Sequence, residues 1–111
     1  MVFIESRAFT RRLGQLAGPA AGDILRELQN DLLRNPARGN VVQGLGGIRK
    51  ARLGNPARRK GTRGGYRYLH LYLERQEHIH LLFLFDKDEH EDLSEKERKA
   101  LRQMIAELRR L

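Results

Sequence analysis

Tyr66-Arg67-Tyr68-Leu69-His70-Leu71-Tyr72-Leu73, then Glu74-Arg75-Gln76-Glu77, then His78-Ile79-His80-Leu81-Leu82-Phe83-Leu84-Phe85, is the stretch on which the fold turns. Its first part alternates with a period of two. Tyr66, Tyr68, His70 and Tyr72 fall on one face and Arg67, Leu69, Leu71 and Leu73 on the other, as a pleated strand requires. Arg67 is the odd member of the apolar face. Residues 74–77 are polar and read as a turn, and His78 to Phe85 reads as a second strand. Ile48 to Leu53 supplies another strand before them, so the centre of the chain is a three-stranded meander.

Working outward, Val2 to Ile4 is a short strand, and Phe9, Leu13 and Leu16 recur at the spacing of an amphipathic helix. Gly18-Pro19 is suited to start a second helix, since proline loses nothing at a first helical position. Ala21, Ile24, Leu25, Leu28 and Leu32 would form its buried face, and Asn35-Pro36 would end it. Residues 36–47 are rich in Gly, Asn and Pro and read as a loop. Ser94 with Glu97 is a capping box, and Leu101, Met104, Ile105, Leu108 and Leu111 then mark an apolar stripe to the end of the chain. The order is β-α-α-β-β-β-α. It predicts an α+β fold, a small antiparallel or mixed β-sheet packed by helices, as a single domain over residues 1–111.

The charge is distributed unevenly. Between Asp31 and Glu74 there is no carboxylate, yet ten cations occur: Arg34, Arg38, Arg49, Lys50, Arg52, Arg58, Arg59, Lys60, Arg63 and Arg67. The other residues carry twelve cations against fourteen anions, so the net charge of +8 arises wholly in this strip. A one-signed surface on strands and their connecting loop points to a polyanion, and specifically to nucleic acid. The absence of cysteine excludes disulfides, thiolate metal sites and a thiol nucleophile, and fits a reducing cytoplasm. No signal peptide is evident, and the longest apolar run, Leu81 to Phe85, is too short to span a bilayer. The sequence therefore reads as a soluble cytoplasmic protein with no membrane association.

Lys50 and Arg52 are two residues apart on one strand, so their side chains point the same way, about 6 to 7 Å from each other, and can bracket a phosphate. Arg67 opens the next strand. RNA cleavage is a reaction such a strip can perform, because the neighbouring 2′-hydroxyl already lies beside the phosphate. The protein must align the backbone, accept the 2′ proton, stabilise the phosphorane oxygens and protonate the leaving 5′ oxygen. A lysine crowded by arginines is suited to proton transfer, and arginine is suited to the electrostatic clamp.

Gly46-Gly47-Ile48-Arg49-Lys50-Ala51-Arg52, Lys60-Gly61-Thr62-Arg63-Gly64-Gly65-Tyr66-Arg67, Lys87-Asp88-Glu89 and Asp92-Leu93-Ser94 together resemble the RelE/HigB family of bacterial toxins, closest to its HigB-like branch. The resemblance implies the toxin of a type II toxin-antitoxin module. On that basis the expected activity is endoribonuclease cleavage of translated mRNA in the ribosomal A site, with inhibition of translation and no metal or other cofactor. It implies catalytic roles for Lys50, Arg52, Arg67 and Lys87, and RNA-binding roles for Arg49, Arg58, Arg59, Lys60, Arg63 and Phe85. The HigB-like pattern commonly has tyrosine where this chain has Phe85, so Lys87 or His90 is the candidate proton donor. The implied partners are a cognate antitoxin with a helix-turn-helix DNA-binding domain, the ribosome and its mRNA, and operator DNA only through the antitoxin.

Other patterns lead elsewhere only superficially. His78 and His80 share a strand face, but a third metal ligand is not evident. The acids Asp86, Asp88, Glu89, Glu91 and Asp92 lack calcium-loop spacing and suit a helix N-terminus instead. Gly44-Leu45-Gly46-Gly47 lacks the Lys-Ser/Thr of a phosphate loop. The competing functions are a ParE-like gyrase inhibitor and a non-catalytic RNA- or ribosome-binding protein on the same fold.

Overall fold

Arg67–Leu73 (β4) and His78–Phe85 (β5) form the antiparallel centre of a five-stranded sheet in a computed structural model that describes residues 1–53, 65–86, 89 and 93–111. Around them lie β1 (Val2–Glu5), α1 (Arg7–Ala17), a 3₁₀ turn (Gly18–Ala20), α2 (Ala21–Arg34), β2 (Asn40–Val41), β3 (Arg49–Arg52) and α3 (Glu95–Arg110). The sheet order is β1-β5-β4-β3-β2. β1 runs parallel to β5 and the other pairs are antiparallel, so the sheet is mixed and the fold is α+β.

The alternation of β4 sorts its side chains between two cores. Tyr66, Tyr68 and Tyr72 pack with Phe9, Leu13, Ile24, Leu28 and Leu32 of α1 and α2. Leu69, Leu71 and Leu73 pack on the opposite face with Leu45, Ile48 and Ile105 of α3. In β5 the register slips by one residue between the Leu69–Phe83 and His70–Leu81 pairs. This bulge turns both Leu82 and Phe83 toward the α3 core, while Ile79, Leu81 and Leu84 face α1 and α2. The longest apolar run of the sequence is thereby divided between two cores.

The helix ends follow their sequence signals. Ser6 Oγ accepts from the Phe9 amide at 3.0 Å and donates to the Leu82 carbonyl at 2.7 Å, capping α1 and fixing it to the sheet. Ser94 and Glu97 form the reciprocal capping box. Gly18-Pro19 differs from expectation: it forms the 3₁₀ turn, with Gly18 as the α1 cap at φ 51°, and α2 begins at Ala21. The two-residue β2 lies inside the region read as loop, because so short a strand shows no periodicity. Gly39 just before it has φ +90°, and a Cβ there would lie 2.2 Å from the Lys50 carbonyl oxygen.

α3 buries only Ile105 fully, and Leu111 is 81% exposed rather than part of the apolar stripe. Leu101, Met104 and Leu108 are partly buried against the same core, and full burial of one aliphatic side chain contributes about 1.5 to 3 kcal/mol. The helix gains further anchorage from arginines that donate to the glycine loop. Arg98 donates to Gln43 O, Arg102 to Gly44 O at 3.4 Å and Arg109 to Gly46 O at 2.6 Å.

Candidate nucleic-acid interface

β3 carries the proposed site residues on alternating faces. Ala51 and Leu53 enter the α1/α2 core and Ile48 the α3 core, so Lys50 and Arg52 project on the α3 side of the sheet. Arg52 lies directly opposite Arg67, and Arg67 directly opposite Phe85. Lys50 is opposite Leu69, which is opposite Phe83. Two adjacent rows thus combine Lys50, Arg52 and Arg67 with the two phenylalanines. The Phe83 and Phe85 rings are 4.8 Å apart between centroids.

The Leu53 amide donates to the Tyr66 carbonyl at 2.9 Å across the same register. The neighbouring Arg52–Arg67 pair is therefore of the non-hydrogen-bonded kind, in which side chains stand closest. Like charges directly opposite each other repel and cost stability.

Arg67 donates from Nη2 to the Glu89 main-chain oxygen at 2.5 Å. Glu89 is tied in turn: its carboxylate accepts from the Asp86 amide at 2.8 Å, and its own amide donates to Asp86 O at 3.1 Å. The same carboxylate forms an ion pair with Arg12 of α1. Arg12 also donates from Nε to Leu84 O at 3.3 Å, and its Cζ lies 5.6 Å from the Phe83 ring centroid. Arg12 and Glu89 were missed by sequence reasoning. Seventy-seven positions separate them, and along the chain Glu89 stands out only within Lys87-Asp88-Glu89 and the acidic run, which reads as a complement to a helix N-terminus.

A groove of about 470 Å³ adjoins the site, lined by Leu69, Leu82, Phe83, Phe85, Leu93 and Leu101 among others. Phe85 forms part of its wall and is 5% exposed. Arg49 is not grouped with Lys50 and Arg52. It projects to the opposite face, near His70, and donates to Gly39 O at 3.1 Å. Arg58, Arg59, Lys60, Arg63, Lys87 and His90 lie outside the described residues.

A second polar group lies behind the sheet. His70 is fully buried, with Nε2 2.8 Å from Arg38 O, and its ring centroid is 5.5 Å from that of Tyr68. Burial holds the His70 imidazole below its ordinary range and overrides the opposing effect of that carbonyl. The neutral ring with a proton on Nε2 fits this contact. Burial likewise raises the Tyr68 phenol, reinforced by Asp31. Among the described residues no group of three His, Asp or Glu side chains is placed to hold a metal ion. No helix of these residues is long and apolar enough to cross a membrane.

Residues 31–111 match the family described as the RelE toxin of the RelE/RelB toxin-antitoxin system. The chain belongs to the RelE toxin family. Solved RelE structures share the fold seen in this RelE-family chain. The isolated E. coli RelE toxin aligns with TM-score 0.54 at 12% identity, over 93% of this chain and 97% of that one. In the intact E. coli RelBE toxin-antitoxin complex, the match has TM-score 0.55 and 16% identity, over 80% and 98% of the two chains. A mutant E. coli RelE in the free state gives 0.55 and 14%, over 78% and 83%. At such identities the likeness is one of fold, and site chemistry has to be argued from the residues present.

Proposed function

We propose that this RelE-family chain is the toxin of a toxin-antitoxin pair and acts as an endoribonuclease on translated mRNA, cutting by attack of the 2′-hydroxyl on the adjacent phosphate. The observation that carries the reading is the Arg52–Arg67 pair with Lys50 on the same sheet face. Two like charges opposed across strands cost stability alone. A phosphate between them converts that cost into paired attraction, and a phosphorane carries still more charge to stabilise. In this mechanism Arg52 and Arg67 hold the phosphate oxygens, and Lys50 serves as base or as a third clamp. Lys87 is the candidate donor to the leaving 5′ oxygen. Phe85, in the row beside Arg67, is largely buried and walls the groove that would receive the base next to the cut. The cations Arg58, Arg59, Lys60 and Arg63 would add phosphate contacts that supply affinity rather than sequence preference, whereas Arg49, on the opposite face, would not share them. No metal is needed, because the nucleophile belongs to the substrate.

A net charge of +8 concentrated in one strip calls for an acidic partner when the protein is idle. Family membership supports a cognate antitoxin in that role, and the RelBE complex is a precedent for such a pairing on this fold. Contact with the ribosome, and with operator DNA through an antitoxin helix-turn-helix, are parts of the same proposal. Inducing the protein alone in a bacterium should arrest growth, and primer extension on a translated message should reveal new 5′ ends within the coding region. Arrest with intact messages and damaged DNA would refute the ribonuclease reading in favour of a gyrase target.

A further inference from the structure

Arg67 is a long, flexible side chain, and a clamp is effective only when its donors are already aimed at the developing charge. Among the described residues, its guanidinium donates to the carbonyl of Glu89. That carbonyl belongs to the segment following β5, where Asp86 and Glu89 exchange two hydrogen bonds. The segment is tied to the helical layer by Arg12, which bonds the Glu89 carboxylate and the Leu84 carbonyl together while covering Phe83. A relay therefore runs from α1 through Arg12 and Glu89 to Arg67. A guanidinium has five N–H donors in a planar fork, so the group can hold a carbonyl and a phosphate at the same time.

We propose that Arg12 and Glu89 are positioning residues for Arg67: the ion pair sets the height and direction of the Glu89 carbonyl, and that carbonyl holds the guanidinium toward the β5 side of the clamp, with Arg52 on the β3 side. The inference rests on the ribonuclease reading above and extends it to two residues outside the basic strip. Arg12 lies at the edge of β5, beyond the end of β1, and touches neither Arg52 nor Lys50 through any contact among the described residues. Its effect on cleavage is accordingly indirect.

The test is a double-variant cycle of Arg12→Ala and Arg67→Ala, read by single-turnover cleavage at saturating ribosomes, with ribosome affinity and thermal midpoint measured alongside. Arg12→Ala should slow the chemical step by about 10- to 100-fold, the scale expected for a misplaced clamp, with affinity near the parental value. Arg12→Lys should recover part of the rate by keeping the charge opposite Glu89. In the Arg67→Ala background, Arg12→Ala should add almost nothing, because nothing is left to position. If the two losses multiply, or Arg12→Ala cleaves at the parental rate while Arg67→Ala is slow, the relay is wrong and the ribonuclease reading stands. If Arg67→Ala itself cleaves at the parental rate, the assignment of Arg67 to the chemistry fails and the relay falls with it. Should Arg12→Ala fail to fold, Glu89→Gln takes its place, since glutamine retains an acceptor for the Asp86 amide and loses the ion pair. NMR of the Arg67 Nε–H group gives a readout independent of activity. Its signal should shift or broaden in Glu89→Gln, and an unchanged signal would overturn the relay.

Discussion

Arg52→Gln should make the folded protein more stable while making the proposed ribonuclease slower. Arg52 is exposed and faces Arg67 in a non-hydrogen-bonded pair, the closer of the two antiparallel arrangements. Two unit charges about 6 Å apart in an environment near that of water repel by about 0.7 kcal/mol. Opposed cross-strand like charges fall in the same range, roughly 0.2 to 1 kcal/mol. Removing one charge should therefore gain about 0.5 kcal/mol, or about 2 to 3 °C in thermal midpoint for a domain of this size. The gain must depend on salt: at about 1 M the screening length falls to roughly 3 Å, and the difference from the parent should nearly vanish. Thermal denaturation of parent and variant in low and high salt measures both quantities. Arg67→Gln serves as a contrast, because it removes the same repulsion but also the contact with Glu89 O, so its gain should be smaller or absent. An Arg52→Gln midpoint equal to or below the parental one in low salt, or a gain that persists in high salt, would refute the reasoning. The repulsion would then be absent, and with it the argument that the pair exists for a phosphate.

Two further outcomes follow from buried groups and backbone geometry. Burial lowers the folded-state His70 value, so the unfolded chain takes up the proton first; the stability of neutral His70 is complete above about pH 6.5 and is lost as pH falls below it, with a slope of at most about 1.4 kcal/mol per pH unit. His80, also lowered mainly by burial, acts in the same sense. Urea midpoints at neutral and mildly acidic pH should therefore fall with acidification, and His70→Gln should flatten the dependence; an equally steep variant would contradict this. Gly39→Ala should destabilise by more than about 1 kcal/mol, because it combines a positive φ with a close approach to the Lys50 carbonyl, and an unchanged thermal midpoint would argue against that geometry.

The sequence by itself determined the elements and the location of the charge. The period of two in β4, the helical stripes of α1 and α2, the Ser94–Glu97 box and the acid-free interval from Asp31 to Glu74 are local properties. Their causes act over a few residues, and alternation also implied that Lys50, Arg52 and Arg67 could share a site. The same alternation divides Arg49 from Lys50, a separation that a charge count along the chain conceals.

Tertiary structure alone decided how those pieces meet. The parallel pairing of β1 with β5, the slip that sends both Leu82 and Phe83 to the α3 face, and the alignment of Arg52 with Arg67 each depend on register. Register is set by which combination of strands fills both cores at once, and no single segment contains that information. The contact between Arg12 and Glu89 is the extreme case. It joins the first helix to the segment after the last strand, and its partners become neighbours only when α1 is packed along the open edge of β5, where Arg12 meets the carboxylate of the residue whose main-chain oxygen accepts from Arg67.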